Sequence, residues 1–176
     1  MYLTSYQVAE GVQAHGGYWK HGHTYQAHPL SCAAALAVQE AIEEEGLLEN
    51  IRLQGEYLKS RLTQGLKGKN ALSAPFVYDI RGAGGFWGVE FDFTGPEAKK
   101  LDFKGDRFAL LVQSKALENG LNLMGFTGCA DLGGVNGDHL VLAPAYNITQ
   151  VCALICQILC ALIIIIGLLR GRSIPS

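Results

Sequence analysis

The sequence predicts an α+β fold, with its first two strands as a hairpin and helices packed on one face. Three observations carry that expectation. Helical patterns fill 29–45 and 47–66. Two strand-like segments, 76–80 and 86–93, flank the glycine cluster RGAGG at 81–85. A further helical stretch at 106–118 leads to two short strand patterns at 121–125 and 139–143.

Each element has a local reason. Residues 2–14 read as a helix that stops at Gly16 and Gly17. Residues 18–28 form a loop rich in aromatics and histidine. Pro29 suits the first position of a helix, where its missing N–H costs nothing. That helix runs to Glu45, and Gly46 stops it. In the next helix Leu48, Ile51, Tyr57, Leu58, Leu62 and Leu66 fall near helical spacing. Asn119 and Gly120 close the helix at 106–118.

Composition bounds the function classes. The chain has 176 residues and a formal net charge of −2. Charged residues are 17%, below the typical ~25%, and apolar residues are 49%, which excludes general disorder. The balance leaves no electrostatic footprint for nucleic acid. The cysteines are Cys32, Cys129, Cys152, Cys156 and Cys160, with no CxxC pair, so a reducing, cytoplasmic setting is expected. Residues 1–10 lack a basic stretch followed by an apolar core, so no secretory signal is expected.

Composition shifts at the end of the chain. Residues 151–169 read VCALICQILCALIIIIGLL, with only Gln157 polar, closed by Arg170 and Arg172. The expectation is an apolar helix, long enough to span a membrane or to dock on the preceding domain.

Few residues could carry chemistry. HGHTY at 21–25 runs into Pro29. A glycine loop with a hydroxyl residue can offer N–H groups and an O–H to an anion. It can equally be a glycine turn with half-exposed histidines. His21, His23 and His28 lack a fourth ligand, so no metal site is expected. RGAGG lies between two strands, not before a helix, so it reads as a hairpin turn and not as a dinucleotide loop. The glutamates at 43–45 read as a solvated helix end, and the glycine-rich stretch 126–137 as a loop between strands.

The segment HGHTYQAHPLSCAAALAVQEAIEEEG, from residue 21, resembles the class III aminotransferases, which use pyridoxal phosphate. LLENIRLQGEYLKSRL resembles the helix leading into their small domain. DIRGAG at 79–84 with FWGVE at 86–90 resembles their strand pair, and GDHLVLAP at 137–144 their last strand. The resemblance covers about residues 5–150, in family order.

It implies the C-terminal part of a pyridoxal-phosphate-dependent transferase fold. Residues 1–45 would end the large domain, 46–150 form the small domain, and 151–169 form the apolar helix. It implies that Thr24 contacts the cofactor phosphate held mainly by the other subunit of a homodimer, with His23 and Tyr25 beside it. The complete enzyme would transfer an amino group between an amine or amino acid and a keto acid. The family's Schiff-base lysine lies in the large domain, upstream of the region matched by Met1, so the fragment is expected to be inactive alone. Many relatives carry a substrate-carboxylate arginine before the final strand's proline, where this chain has Leu140, Val141 and Leu142. Arg81 is expected to play a structural part at the turn. The alternative reading is a non-catalytic, aminotransferase-like protein that binds a full-length partner or is anchored to a membrane by its tail.

Overall fold

The computed structural model describes residues 5–14, 16, 22, 24–103, 105–128, 132–133, 136–154 and 163–165. The chain divides into two units, Met1–Ala41 and Ile42–Ser176. The first holds α1 (Tyr6–Ala14) and most of α2 (Pro29–Glu44). Neither helix has a buried residue among those described. Tyr6, Val8, Leu30, Leu36 and Val38 are exposed.

Within the second unit, one glycine separates the end of α2 from the next helix. Gly46 is left-handed, with φ 63°. Its N–H donates to the Glu43 carbonyl at 3.2 Å, and its carbonyl accepts the Asn50 N–H at 3.2 Å. One residue without a Cβ thus ends α2 and opens α3 (Leu47–Lys67). Ile51, Gly55, Leu58, Leu62 and Leu66 make the buried stripe of α3. Spacings of three and four keep them on one face. Leu48, expected in that stripe, is exposed, and Gly55 completes it.

Four strands follow: β1 (Val77–Ala83), β2 (Phe86–Phe91), β3 (Met124–Phe126) and β4 (His139–Leu142). Their order is β1-β2-β4-β3, and every neighbouring pair is antiparallel. Trp87 faces Leu142 and Val89 faces Leu140 across β2 and β4. These four and Phe91 are buried in one cluster with the α3 stripe. The helix α4 (Phe108–Glu118) adds Phe108, Ala109, Val112 and Ala116 to it. The Phe108 ring meets Phe91 edge-on, centroids 5.0 Å apart. The predicted α+β layering is therefore present, with α3 and α4 on one face of the sheet.

Among the boundaries that differ from the sequence expectation, two have a visible cause. β1 extends to Ala83 instead of stopping at 80, so Arg81 and Gly82 are strand residues and only Gly84 and Gly85 make the turn. β3 begins at Met124, not 121, because the end of α4 uses the preceding residues. Gly120, φ 78°, sends its N–H to the Leu117 carbonyl at 3.0 Å. The Leu121 N–H reaches back to the Ala116 carbonyl at 2.8 Å. This is a Schellman ending, and it leaves Leu121 turned away from a strand path.

The end of β4 returns over α3. The Asn50 amide donates to the carbonyls of Tyr146 at 2.7 Å and Ile148 at 3.0 Å. Ile148, Ala153, Ile163 and Ile164 then join the buried cluster. Of the expected apolar helix over 151–169, the described residues 151–154 and 163–165 are helical, and 155–162 and 166–169 lie outside the described residues. Among the described residues no helix is long and apolar enough to cross a membrane.

Candidate functional site

The turn before α2 is the candidate anion contact. Thr24, Tyr25, Gln26 and Ala27 form it, and the His28 N–H closes it on the Tyr25 carbonyl at 3.1 Å. Ala27 is left-handed, φ 58°, the one such non-glycine residue among those described. Thr24 is exposed, and no hydrogen-bond partner among the described residues occupies its hydroxyl. Tyr25 is 70% exposed, and its ring stands edge-on to His28, centroids 6.1 Å apart. His23 lies outside the described residues.

An exposed hydroxyl on a tight turn suits one hydrogen bond to a phosphate dianion. The described residues 22 and 24–28 include no lysine or arginine. This donor set fits a single contact to a phosphate, and the rest of a phosphate cup must come from elsewhere.

The glycine cluster of the second unit packs the hairpin against α3. A Cβ on Gly55 would lie 1.8 Å from the Gly84 carbonyl oxygen. One on Gly85 would lie 2.5 Å from Cδ1 of Ile51, and one on Gly82 2.0 Å from the Phe86 carbonyl oxygen. The Gly84 carbonyl accepts the Trp87 indole N–H at 2.8 Å. These glycines let a helix, a turn and an indole meet at backbone distance.

Arg81 lies on the other face of the sheet. Its guanidinium pairs with Glu90 at 2.5 Å and with Asp79 at 3.2 Å. The hydrogen bond to Glu90 leads in holding the guanidinium pKa above its usual value, with Asp79 adding to it. Both carboxylates tie Arg81 to β1 and β2. Asp79, Glu90, His139 and Phe126 line up across all four strands. The His139 ring stacks on Phe126 with centroids 5.3 Å apart.

A cavity of about 240 Å³ opens beside the start of α4, lined by Phe91, Phe93, Phe103, Phe108, Asp92 and Asp138 among others. Its two named carboxylates have structural partners. Asp138 accepts the Ala109 N–H at 3.1 Å and the Thr127 hydroxyl. Asp92 accepts the Thr94 N–H at 2.7 Å, the main reason its pKa falls below the usual carboxylate value. Sequence reasoning missed Asp138 as the cap of α4. The two ends of that bond are 29 residues apart, so no local pattern signals it. Among the described residues no group of three His, Cys, Asp or Glu converges to hold a metal.

The family profile described as Aminotransferase class-III matches residues 2–151. The chain belongs to the class III aminotransferases. An aminotransferase of Gibberella zeae is 38% identical over 146 residues, which is 83% of this chain and 27% of the relative. An uncharacterized aminotransferase of Schizosaccharomyces pombe is 37% identical over 128 residues, 72% of this chain and 26% of the relative. In fold, the chain is similar to a transaminase from the marine bacterium Virgibacillus, with a TM-score of 0.71 and 24% identity over 93% of this chain and 34% of that one. The aminotransferase chain thus spans about a quarter to a third of the length of these relatives. The family match ends at residue 151, where the apolar tail begins.

Proposed function

We propose that this chain works as the C-terminal part of a pyridoxal-phosphate-dependent class III aminotransferase and does not transfer amino groups by itself. One observation carries the reading: the family match fills residues 2–151, yet the chain spans only 27% of its Gibberella relative. The two units would end the large domain and form the small domain. The complete enzyme would exchange an amino group between an amine or amino acid and a keto acid.

In this reading the Thr24 hydroxyl donates one hydrogen bond to the cofactor phosphate. The family's dimer would bring that phosphate from the other subunit. His23 and Tyr25 would flank the contact. When bound, pyridoxal phosphate supplies the electron sink for amino transfer. The chain's own part is to hold Thr24 on a tight turn and to present a rigid sheet. Arg81, neutralised by two carboxylates, braces that sheet and is not offered to a substrate carboxylate.

Sequencing the transcript across both ends tests the proposal. The expected result is an upstream coding segment with the family's cofactor-binding lysine. A mature transcript that starts at Met1 and still yields an active, cofactor-bound enzyme would overturn it.

A further inference from the structure

The turn that carries Thr24 and the first turn of α2 share one residue, His28. Its backbone N–H closes the turn on Tyr25, and its carbonyl accepts the Cys32 N–H at 3.0 Å, opening the helix. Its side chain caps the same helix. The Ser31 N–H donates to Nδ1 at 3.3 Å, and the Ser31 hydroxyl lies 3.1 Å from that atom. A ring nitrogen that accepts a backbone N–H carries no proton, so the ring proton sits on Nε2. This is the work of an Asn or Asp N-cap, done here by an imidazole.

Among the described residues little else holds this corner. Within this chain α2 has no buried residue, so no packing contact of the chain's own core fixes its first turn. Ala27, just before the cap, has the left-handed φ of 58° that an L side chain disfavours. Without the cap, the start of α2 frays and Ala27 relaxes. The direction of Thr24, three residues upstream, is then lost.

We propose that His28 is a positioning residue: its Nδ1 cap on Ser31 fixes the turn that aims Thr24 at the cofactor phosphate. This rests on the reading of Thr24 as a phosphate contact. His28 itself touches neither cofactor nor substrate.

The test uses the holoenzyme that contains this chain and reads pyridoxal phosphate dissociation from its visible absorbance on dilution. Thr24→Ala is expected to weaken cofactor binding about tenfold or more, the loss of a hydrogen bond to a charged group. His28→Ala is expected to weaken it by a similar factor. The double variant is expected to bind no worse than Thr24→Ala alone, because both changes remove one contact. His28→Asn, which keeps a capping acceptor, is expected to restore binding to within about threefold. Hydrogen exchange on the 176-residue chain supplies a second readout: His28→Ala should deprotect the Ser31 amide, and His28→Asn should protect it again.

Wild-type binding by His28→Ala beside a weakened Thr24→Ala overturns the positioning and leaves the Thr24 contact standing. Additive losses in the double variant also overturn it, since His28 would then act independently. An unaffected Thr24→Ala removes the phosphate reading and the positioning with it.

Discussion

Replacing Gly55 with alanine tests how the hairpin sits on α3. In an exposed helix that change stabilises by about 1 kcal/mol, because glycine is a poor helix former. Here the new Cβ would sit 1.8 Å from the Gly84 oxygen and 2.5 Å from its carbonyl carbon. Ordinary carbon–oxygen contacts are no closer than about 3.3 Å. The helix or the turn must therefore move by about 1.5 Å. The neighbours on both sides resist that movement. Ile51 lies against Gly85, and the Trp87 indole is hydrogen-bonded to the Gly84 carbonyl at 2.8 Å. Overpacking of this kind costs about 1–3 kcal/mol, and the strained indole bond adds about 0.5–1.5 kcal/mol. After subtracting the helix gain, the net loss is about 2 kcal/mol. For a unit of this size that lowers Tm by roughly 6–10 °C. Thermal unfolding followed by circular dichroism measures it. Gly11→Ala in α1, where an added Cβ meets nothing within 4 Å, is the control and should not destabilise. A Gly55→Ala chain as stable as the wild type would refute the close approach of α3 and the turn.

Two further predictions follow from the same unit. Asp92 has a depressed folded pKa, caused first by the Thr94 backbone N–H and then by its hydroxyl. Its stabilisation is therefore full above the unfolded carboxylate value, about 3.9, and is lost as pH falls through the folded value. Asp92→Asn should be less stable than the wild type at pH 6, with the gap closing towards pH 2; a gap independent of pH would show that these bonds do not favour the carboxylate. Ile164 is fully buried, so Ile164→Ala should cost about 2–5 kcal/mol in urea unfolding. No loss would place this part of the tail outside the core.

The elements built on short-range rules were legible in the sequence. Pro29 begins α2 because its ring suits a first helical turn, and Gly46 ends it because only glycine adopts that φ freely. The α3 stripe followed from spacing, except that a glycine was not recognised as part of a buried face. Gly55 is small because a carbonyl touches it, and nothing in the helix's own sequence says so. The hairpin was legible as a hairpin, but its turn was placed too early. RGAGG offers several glycines, and only cross-strand pairing shows which ones bend. The late start of β3 depended on a helix ending that consumed Gly120 and Leu121. Of the site, the HGHTY loop stood out from its glycine and hydroxyl as an anion donor, and the motif resemblance assigned Thr24 to a phosphate. The role of His28 became visible only when its ring was found on the Ser31 N–H. The Asn50 amide on the Tyr146 and Ile148 carbonyls spans nearly a hundred residues and has no sequence pattern.

These 176 residues belong to the class III aminotransferases, and the proposal is that they do not perform the family's chemistry alone. Its most direct test adds pyridoxal phosphate to the purified chain, reduces with borohydride and maps the labelled lysines, with an amino-transfer assay run on the same sample. The expected result is scattered, substoichiometric labelling and no amino transfer. A single lysine labelled stoichiometrically, together with amino transfer, would contradict it.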